Sequence, residues 1–121
     1  MKVLICEDEP DISYLIQRRL AREGYDLVLA DNGLDALRLA IEERPGLIVL
    51  DWMMPGLTGL EVCTGIRANP VVSGTKILML TARAHQRDLT AAFDAGVDDY
   101  LIKPFRPGEL HERVAALLSR A

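Results

Sequence analysis

The sequence predicts an α/β fold in which five βα units form one doubly wound parallel sheet. Short aliphatic runs alternate with longer amphipathic segments five times over the 121 residues. These runs are typical of strands buried on both faces, and Gly or Pro residues mark many of the segment ends. Parallel strands need right-handed helical crossovers, so we expect helices on both faces of the sheet. A β/α barrel would need about eight such units and is excluded.

The first two units have clear start and stop signals. Strand 1 covers residues 3–6, and helix 1 runs from about 11 to 23, where Gly24 ends it. Strand 2 is Asp26–Ala30, and Asp31-Asn32 offers a cap for helix 2. The apolar residues that recur at helical spacing, and that we expect to face the core, are Ile12, Leu15, Ile16 and Leu20 in helix 1 and Leu34, Leu37 and Ile41 in helix 2.

The remaining three units follow the same pattern. Pro45-Gly46 closes helix 2, and Pro107 opens helix 5, where its missing N–H leaves no bond unmade. The other predicted elements are strand 3 at 47–51, helix 3 at about 59–68, strand 4 at 77–80, helix 4 at about 86–95 with Gly96 as its cap, and strand 5 at 100–102. The inward-facing residues are Leu60, Cys63 and Ile66 in helix 3 and Leu110, Val114 and Leu117 in helix 5. Five such units fit the flavodoxin-like strand order 2-1-3-4-5, with a ligand crevice between strands 1 and 3.

Composition limits the class of protein. Residues 1–121 suit one domain, and 50% apolar with 26% charged residues is typical of a soluble globular chain. No apolar run is long enough to span a bilayer and no secretory signal is present, so we expect a cytoplasmic location and no membrane partner. Cys6 and Cys63 are then expected to be free buried thiols. The net charge of −4, without a Lys/Arg cluster, argues against direct nucleic acid binding.

Polar residues stand where four of the predicted strands end. They are Glu7 and Asp8 after strand 1, Asp51 at the end of strand 3, Thr81 after strand 4 and Lys103 after strand 5. The carboxyl ends of parallel strands meet at one edge of the sheet, where α/β folds bind ligands. The sequence therefore predicts a site there for a divalent metal ion and a phosphoryl group.

Carboxylates gathered at one edge repel one another unless a cation is bound. Mg²⁺ takes oxygen ligands, uses one or two carboxylates and keeps several waters. We expect Asp8 and Asp51 to bind it directly, Glu7 to act through water, and the backbone carbonyl of Met53 to add a ligand. Taken alone, Glu7-Asp8-Glu9 also suits a solvated acidic turn at the positive end of helix 1. Asp51 at the same edge favours the metal ion.

A carboxylate can attack phosphorus and form an aspartyl phosphate. Phosphoryl transfer mainly requires positioning and neutralisation of the phosphoryl oxygens. Asp51 is the expected acceptor, Lys103 supplies a positive charge, and the Thr81 hydroxyl donates to a phosphoryl oxygen. Separately, Thr81 also suits a helix cap or an ordinary strand residue, and Lys103 a surface lysine. Their joint position beside three acids favours the functional interpretation.

Four motifs occur in order along the chain. They are Cys6-Glu7-Asp8-Glu9, Leu50-Asp51-Trp52-Met53-Met54-Pro55-Gly56 with Gly59, Met79-Leu80-Thr81-Ala82, and Gly96-Val97-Asp98-Asp99-Tyr100-Leu101-Ile102-Lys103-Pro104-Phe105. The separations are 43 residues from Asp8 to Asp51, 30 from Asp51 to Thr81 and 22 from Thr81 to Lys103. With these motifs the chain resembles, from end to end, the receiver domain of bacterial two-component response regulators. The amino-acid sequence of these motifs is most similar to that of receivers of winged-helix transcription factors.

The resemblance implies a phosphorylation chemistry. Asp51 would accept a phosphoryl group from a sensor histidine kinase or a phosphotransfer protein, with Mg²⁺ held by Glu7, Asp8 and Asp51. Such a domain is not an enzyme in the usual sense, because it only accepts the phosphoryl group and slowly loses it again. The side chains two residues beyond the aspartate and the threonine, here Met53 and Arg83, tune that loss in the family. An apolar Met and a long Arg predict a shielded, longer-lived phosphoryl group.

The resemblance also implies a conformational switch. Thr81 moves toward the phosphoryl group and Tyr100 turns inward, which changes the surface formed by helix 4, strand 5 and helix 5. An edge-strand aromatic that never moves is the alternative for Tyr100. The bond between Lys103 and Pro104 is cis in the family.

Related receivers form homodimers through this surface by alternating charges. Asp98, Asp99 and Arg113 suit that purpose in this chain. Helix 4, however, offers Leu89 and Phe93 where basic residues are expected, so an apolar docking face or plain core packing is the alternative for these two.

Other functional classes fit the sequence less well. A Mg²⁺-dependent phosphohydrolase of the haloacid dehalogenase type needs an acid two residues after its nucleophile, and this chain has Met53 there. A flavodoxin-like or dinucleotide-binding carrier needs a Gly-rich turn after strand 1, where this chain is acidic. Trp52 is expected to be a partly packed loop residue, and His85 and His111 to be solvated surface residues.

Overall fold

The computed structural model describes residues 1–120, which form five strands and five helices. In chain order these are β1 (Lys2–Cys6), α1 (Pro10–Arg22), β2 (Asp26–Ala30), α2 (Gly33–Glu43), β3 (Leu47–Asp51), α3 (Gly59–Ala68), β4 (Lys76–Thr81), α4 (Gln86–Ala95), β5 (Asp99–Ile102) and α5 (Pro107–Leu118). All strand pairs are parallel, and the strands lie in the order β2-β1-β3-β4-β5. The predicted flavodoxin-like architecture is confirmed.

The element boundaries agree with the predicted ones to within one residue. Strands β1, β4 and β5 begin one residue early, at Lys2, Lys76 and Asp99, because these polar residues still pair with a neighbouring strand. Strand β4 also includes Thr81. Helix α1 begins one residue before its predicted start because Pro10 is well suited to a first helical position, and it ends one residue earlier.

Each strand divides its side chains between two buried clusters. Val3 and Ile5 pack on the face covered by α1 and α5, whereas Leu4 and Cys6 pack on the face covered by α2, α3 and α4. Full burial of one such aliphatic side chain stabilises the fold by about 1.5–3 kcal/mol. Every residue of β3 is buried, so the central strand that ends at Asp51 is firmly held.

Two leucines predicted to face the core are exposed. Leu15 is 53% exposed because the buried stripe of α1 follows Ile16 and Leu20 instead. Leu34 is 62% exposed because α2 approaches the sheet through small residues such as Ala36. Within residues 1–120, none of the helices has the length and apolar character needed to cross a membrane.

Side-chain caps fix several helix starts. The Asn32 side chain accepts a hydrogen bond from the Asp35 N–H at 2.9 Å, as predicted. Thr58 and Glu61 form a reciprocal capping box at the start of α3, which was not recognised in the sequence. Gly96 ends α4 in the left-handed conformation, with φ of 107°. The capping box matters for function because it fixes the helix that follows Asp51.

The two cysteines lie in the interior of the fold. Cys6 and Cys63 are free and buried, which confirms the prediction.

The prediction that His111 is a solvated surface residue was wrong. Its side chain is 24% exposed, its ring centroid lies 6.2 Å from that of Tyr25, and its Nε2 lies 3.6 Å from a carboxylate oxygen of Glu23. Helices α1 and α5 pack side by side, and this covers a residue that the α5 sequence pattern places outward.

Candidate functional site

The carboxyl ends of β1, β3, β4 and β5 meet at one edge of the sheet. Asp51 lies opposite Leu80 in the register of β3 and β4. Backbone hydrogen bonds continue beyond the strand ends, from the Trp52 N–H to the Leu80 carbonyl at 2.9 Å and from the Lys103 N–H to the Thr81 carbonyl at 2.8 Å. The sheet backbone therefore brings the predicted residues of β3, β4 and β5 together.

Lys103 forms ion pairs with two of the predicted acids. Its Nζ lies 3.0 Å from Oε1 of Glu7 and 3.3 Å from Oδ1 of Asp51. Glu7 and Asp51 are only 2% and 4% exposed. The sequence predicts a phosphoryl group as the partner of Lys103 and does not reveal these two pairs, because sequence separation says nothing about which side chains converge across a sheet.

Burial and mutual repulsion shift the protonation of this cluster. Burial raises the pKa of Glu7 to about 8, and the nearby Asp51 carboxylate adds to the increase while Lys103 opposes it. Burial disfavours the charge of Lys103, but the hydrogen bond to Glu7 and the charge of Asp51 outweigh it and raise the lysine pKa. The ammonium group is thus retained in a largely enclosed, acidic site.

Three carboxylates are placed to hold a metal ion. One oxygen from each of Glu7, Asp8 and Asp51 lies within 4.8 Å of the others. Asp8 is the most open to solvent of the three. Such an all-oxygen donor set at short range fits a hard divalent cation such as Mg²⁺, and ligand waters can complete its coordination on the exposed side.

Thr81 lines the cleft into which Asp51 opens. It is 2% exposed, and its Oγ1 accepts a hydrogen bond from the Arg83 N–H at 2.8 Å. The cleft has a volume of about 280 Å³. The residues that line it are Asp8, Glu9, Asp51, Trp52, Met53, Thr81, Ala82, Arg83 and Lys103. This volume is large enough for a phosphoryl group beside Asp51, with Thr81 and Lys103 also in the lining.

Arg83 and Trp52 form one side of the cleft mouth. The Arg83 guanidinium carbon lies 5.0 Å from the centroid of the Trp52 ring, and Nη2 lies 3.7 Å from the sulfur of Met53. Trp52 is 5% exposed, so it is more buried than the partly packed loop residue that the sequence predicted. The N–H of Met53 donates to Oδ1 of Asp51 at 3.4 Å. Contacts among these side chains were not foreseen, since the residues are distant in sequence.

Tyr100 lies on the α4 side of β5 and is partly buried. Its ring packs edge-on against Phe93, with centroids 5.6 Å apart and an interplanar angle of 72°. The acids beside Tyr100 both have basic partners inside the chain. Asp98 pairs with Arg67 at 2.8 Å, and Asp99 pairs with Arg113 at 3.1 Å.

Two smaller features complete the region. The peptide bond between Lys103 and Pro104 is cis, as the resemblance implies. His85 is exposed, as predicted, and its Nδ1 also caps α4 by accepting from the Arg87 N–H at 3.1 Å. Neither histidine of the chain lies among the residues that line the Asp51 cleft.

Comparison with known sequences identifies relatives over almost the whole chain. The family model of the response regulator receiver domain matches residues 3–115. The alkaline phosphatase synthesis transcriptional regulatory protein PhoP of Bacillus subtilis is 44% identical over 120 residues, which cover 99% of this chain and 49% of that protein. The transcriptional regulatory protein ResD of the same organism gives the same identity and coverage. The chain thus spans about half the length of the curated relatives it matches.

Solved structures agree. A response regulator structure from Chloroflexus aurantiacus is 34% identical with a TM-score of 0.92, and the match covers 98% of both chains. The receiver domain of the sensor histidine kinase PA1611 from Pseudomonas aeruginosa, which has a magnesium ion in its active site cleft, is 33% identical with a TM-score of 0.91 and the same coverage. Together with the acidic edge of the sheet, these matches show that the chain belongs to the receiver domains of two-component response regulators.

Proposed function

We propose that Asp51 accepts a phosphoryl group from the phosphohistidine of a sensor histidine kinase or a phosphotransfer protein. The observation that carries this proposal is the position of its carboxylate. It ends a fully buried central strand, opens into a cleft, and lies 3.3 Å from the Lys103 ammonium. A nucleophile held rigidly beside a fixed positive charge is what phosphoryl transfer requires.

The transfer breaks one bond and forms another. A carboxylate oxygen of Asp51 attacks phosphorus from the side opposite the imidazole nitrogen, the N–P bond breaks, and an O–P bond forms. The imidazole leaves with the electron pair of the broken bond. Lys103 stabilises the phosphoryl oxygens electrostatically, and the Thr81 hydroxyl donates a hydrogen bond to one of them. Slow attack of water on the acyl phosphate reverses the modification.

Glu7, Asp8 and Asp51 would hold Mg²⁺, with the backbone carbonyl of Met53 as a further ligand. The ion would supply positive charge that offsets the phosphoryl oxygens and the carboxylates beside them. Glu7 pairs with Lys103 more closely than Asp51 does, at 3.0 Å against 3.3 Å, so we assign Glu7 a water-mediated role, and Asp8 and Asp51 the direct ones. The short distances among the three carboxylates support a single ion shared by them.

Phosphorylation would change the surface formed by α4, β5 and α5. Thr81 moves toward the phosphoryl group and Tyr100 follows into the space behind it. A homodimer through this surface would rely on apolar contact, because Phe93 is 45% exposed while Asp99 and Arg113 neutralise each other. Light scattering with and without a phosphoryl mimic measures whether such a dimer forms. An unchanged monomer mass would remove the dimer from the proposal.

Intact mass spectrometry tests the central claim. The protein is incubated with acetyl phosphate with and without Mg²⁺, beside Asp51→Asn and a matched control, Asp94→Asn, which alters an exposed acid on α4. We expect one phosphoryl adduct that requires Mg²⁺, forms in the control and is missing in Asp51→Asn. An adduct that persists in Asp51→Asn would place the acceptor elsewhere, and no adduct in the unmodified protein would exclude this activity.

A further inference from the structure

The guanidinium group of Arg83 lies between the cleft and the first turn of α4. On the cleft side it stacks on Trp52, with 5.0 Å between the guanidinium carbon and the ring centroid. On the helix side its Nη1 lies 3.6 Å from Oδ1 of Asp88. Its backbone N–H donates to the hydroxyl oxygen of Thr81. Arg83 therefore contacts Trp52 and Thr81 in the wall of the cleft and Asp88 on α4, and so connects the two.

We propose that Arg83 reads the phosphorylation state of Asp51 by exchanging partners. In the unphosphorylated protein it is paired with Asp88, and after phosphorylation it donates to a phosphoryl oxygen and releases Asp88. The inference rests on Asp51 being the phosphorylated residue and adds a second cation, beside Lys103, that binds the phosphoryl group. It also names the first contact of α4 that phosphorylation breaks.

Electrostatics favours this exchange. A phosphoryl group carries a charge of about −2 near neutral pH, against −1 for the Asp88 carboxylate, and its oxygens match the planar guanidinium donors. The existing pair is weak, because the side chains of Arg83 and Asp88 are 45% and 25% exposed. Trp52 lets the guanidinium slide over one flat surface while it keeps its cation–π contact.

The released carboxylate keeps a favourable environment. Asp88 lies in the first turn of α4, where the helix dipole stabilises a negative charge without any partner. The cost of breaking its pair with Arg83 is therefore small. The Arg83–Asp88 pair can therefore break on phosphorylation and form again when the phosphoryl group is lost.

Helix α4 is suited to respond, since little holds it in place. Ala92 is its one fully buried residue, whereas α3 buries four. At its start, α4 is capped by the ring nitrogen of His85, and Asp88 in its first turn pairs with Arg83. A helix with so small a buried face is held less strongly than its neighbours. Loss of the Asp88 contact would free its first turn at the edge of the α4–β5–α5 surface.

A double-mutant cycle tests the exchange. Titration calorimetry measures the affinity for fluoroberyllate, a phosphoryl mimic, at saturating Mg²⁺ in the unmodified chain, Arg83→Gln, Asp88→Asn and the double variant. Loss of one charged hydrogen bond predicts an affinity about 10-fold weaker for Arg83→Gln, whereas Asp88→Asn removes the competitor and binds about 3-fold tighter. In the Arg83→Gln background Asp88→Asn has no effect. Arg87→Gln, an exposed neighbour with the same change of charge, shifts the affinity less than about twofold.

The outcomes separate this inference from the proposed function. Equal effects of Asp88→Asn with and without Arg83, or equal losses for Arg83→Gln and Arg87→Gln, overturn the exchange and leave Asp51 as acceptor. Trp52 emission provides a second readout, because the mimic should alter it in the unmodified chain and much less in Arg83→Gln. If the unmodified chain neither binds the mimic nor forms an adduct with acetyl phosphate, both proposals fail together.

Discussion

Gly59 connects the packing of α3 to the position of Asp51. A Cβ atom at this residue would lie 2.6 Å from the carbonyl oxygen of Asp51 and 2.9 Å from Cα of Trp52. The Gly59 N–H also donates to the Trp52 carbonyl at 2.8 Å. These neighbours are backbone atoms that cannot rotate away. Gly59→Ala must therefore shift either the first turn of α3 or the strand end that carries Asp51.

The expected cost follows from opposing contributions. Overpacking of this kind costs about 1–3 kcal/mol. Ala gains up to about 1 kcal/mol over Gly in a helix interior, and less at the first helical position. We expect a net loss of about 1–2 kcal/mol in the free energy of unfolding. The entropy of unfolding of a 121-residue chain is roughly 0.25 kcal/mol/K, so the midpoint should fall by about 4–8 °C.

Gly65 in the same helix supplies the control. The atoms nearest to a Cβ there belong to the side chain of Leu37, at 3.0 Å and beyond, and this flexible group can move aside. Gly65→Ala should therefore stay within about 1 kcal/mol of the unmodified protein, because its helix gain offsets the crowding. Thermal unfolding followed by circular dichroism measures both variants, and the rate of adduct formation with acetyl phosphate shows whether Asp51 has moved. Equal midpoints and equal rates for the two variants would refute the steric argument.

Three further predictions address charge and lifetime. Glu7 binds its proton more tightly in the folded protein, with a pKa of about 8 against 4.5, so the Mg²⁺-free protein should lose stability as pH rises from about 5 to about 8. Thermal scans across this range should show the loss, and Glu7→Gln should flatten it. Arg67 donates to the carbonyls of Ser73, Thr75 and Gly96 and to Asp98, so Arg67→Met should cost about 3 kcal/mol in urea unfolding, and a loss below about 1 kcal/mol would contradict this account. Shielding by Met53 predicts a phosphoryl lifetime of minutes in a mass-spectrometric time course, and decay within seconds would count against it.

The fold was largely predictable because its signals are local. Aliphatic runs, caps and glycines determine where each element begins and ends, and the handedness of the crossovers leaves few sheet orders. Errors arose where a helix face depends on its neighbours. Leu15 and Leu34 both satisfy the helical pattern. Leu15 is exposed because the buried stripe of α1 is offset from it, and Leu34 because α2 packs through its small residues. A periodic pattern gives the direction of a buried face only to within about one residue position.

The sequence predicts which residues form the candidate site, but it does not predict which of their side chains contact one another. Each polar residue could be located because it follows a buried strand, whose end lies at a known edge of the sheet. The pairing of Lys103 with Glu7 and the stacking of Arg83 on Trp52 depend on rotamers and on loops. No spacing rule covers such contacts between residues that are 96 or about 30 positions apart.

Some residues of the site are fixed by buried strands, and others are held only by exposed side-chain contacts. This difference implies a division of roles. Glu7 and Asp51 are each at most 4% exposed and lie where buried strands end, so their backbone positions are set by the sheet. Arg83 is held by an exposed ion pair and a ring stack, which a doubly charged group can outcompete. A buried part can therefore perform the phosphoryl transfer while an exposed part reports that it has happened. Substitutions at Arg83 should accordingly alter the response of α4 more than the rate at which Asp51 is phosphorylated.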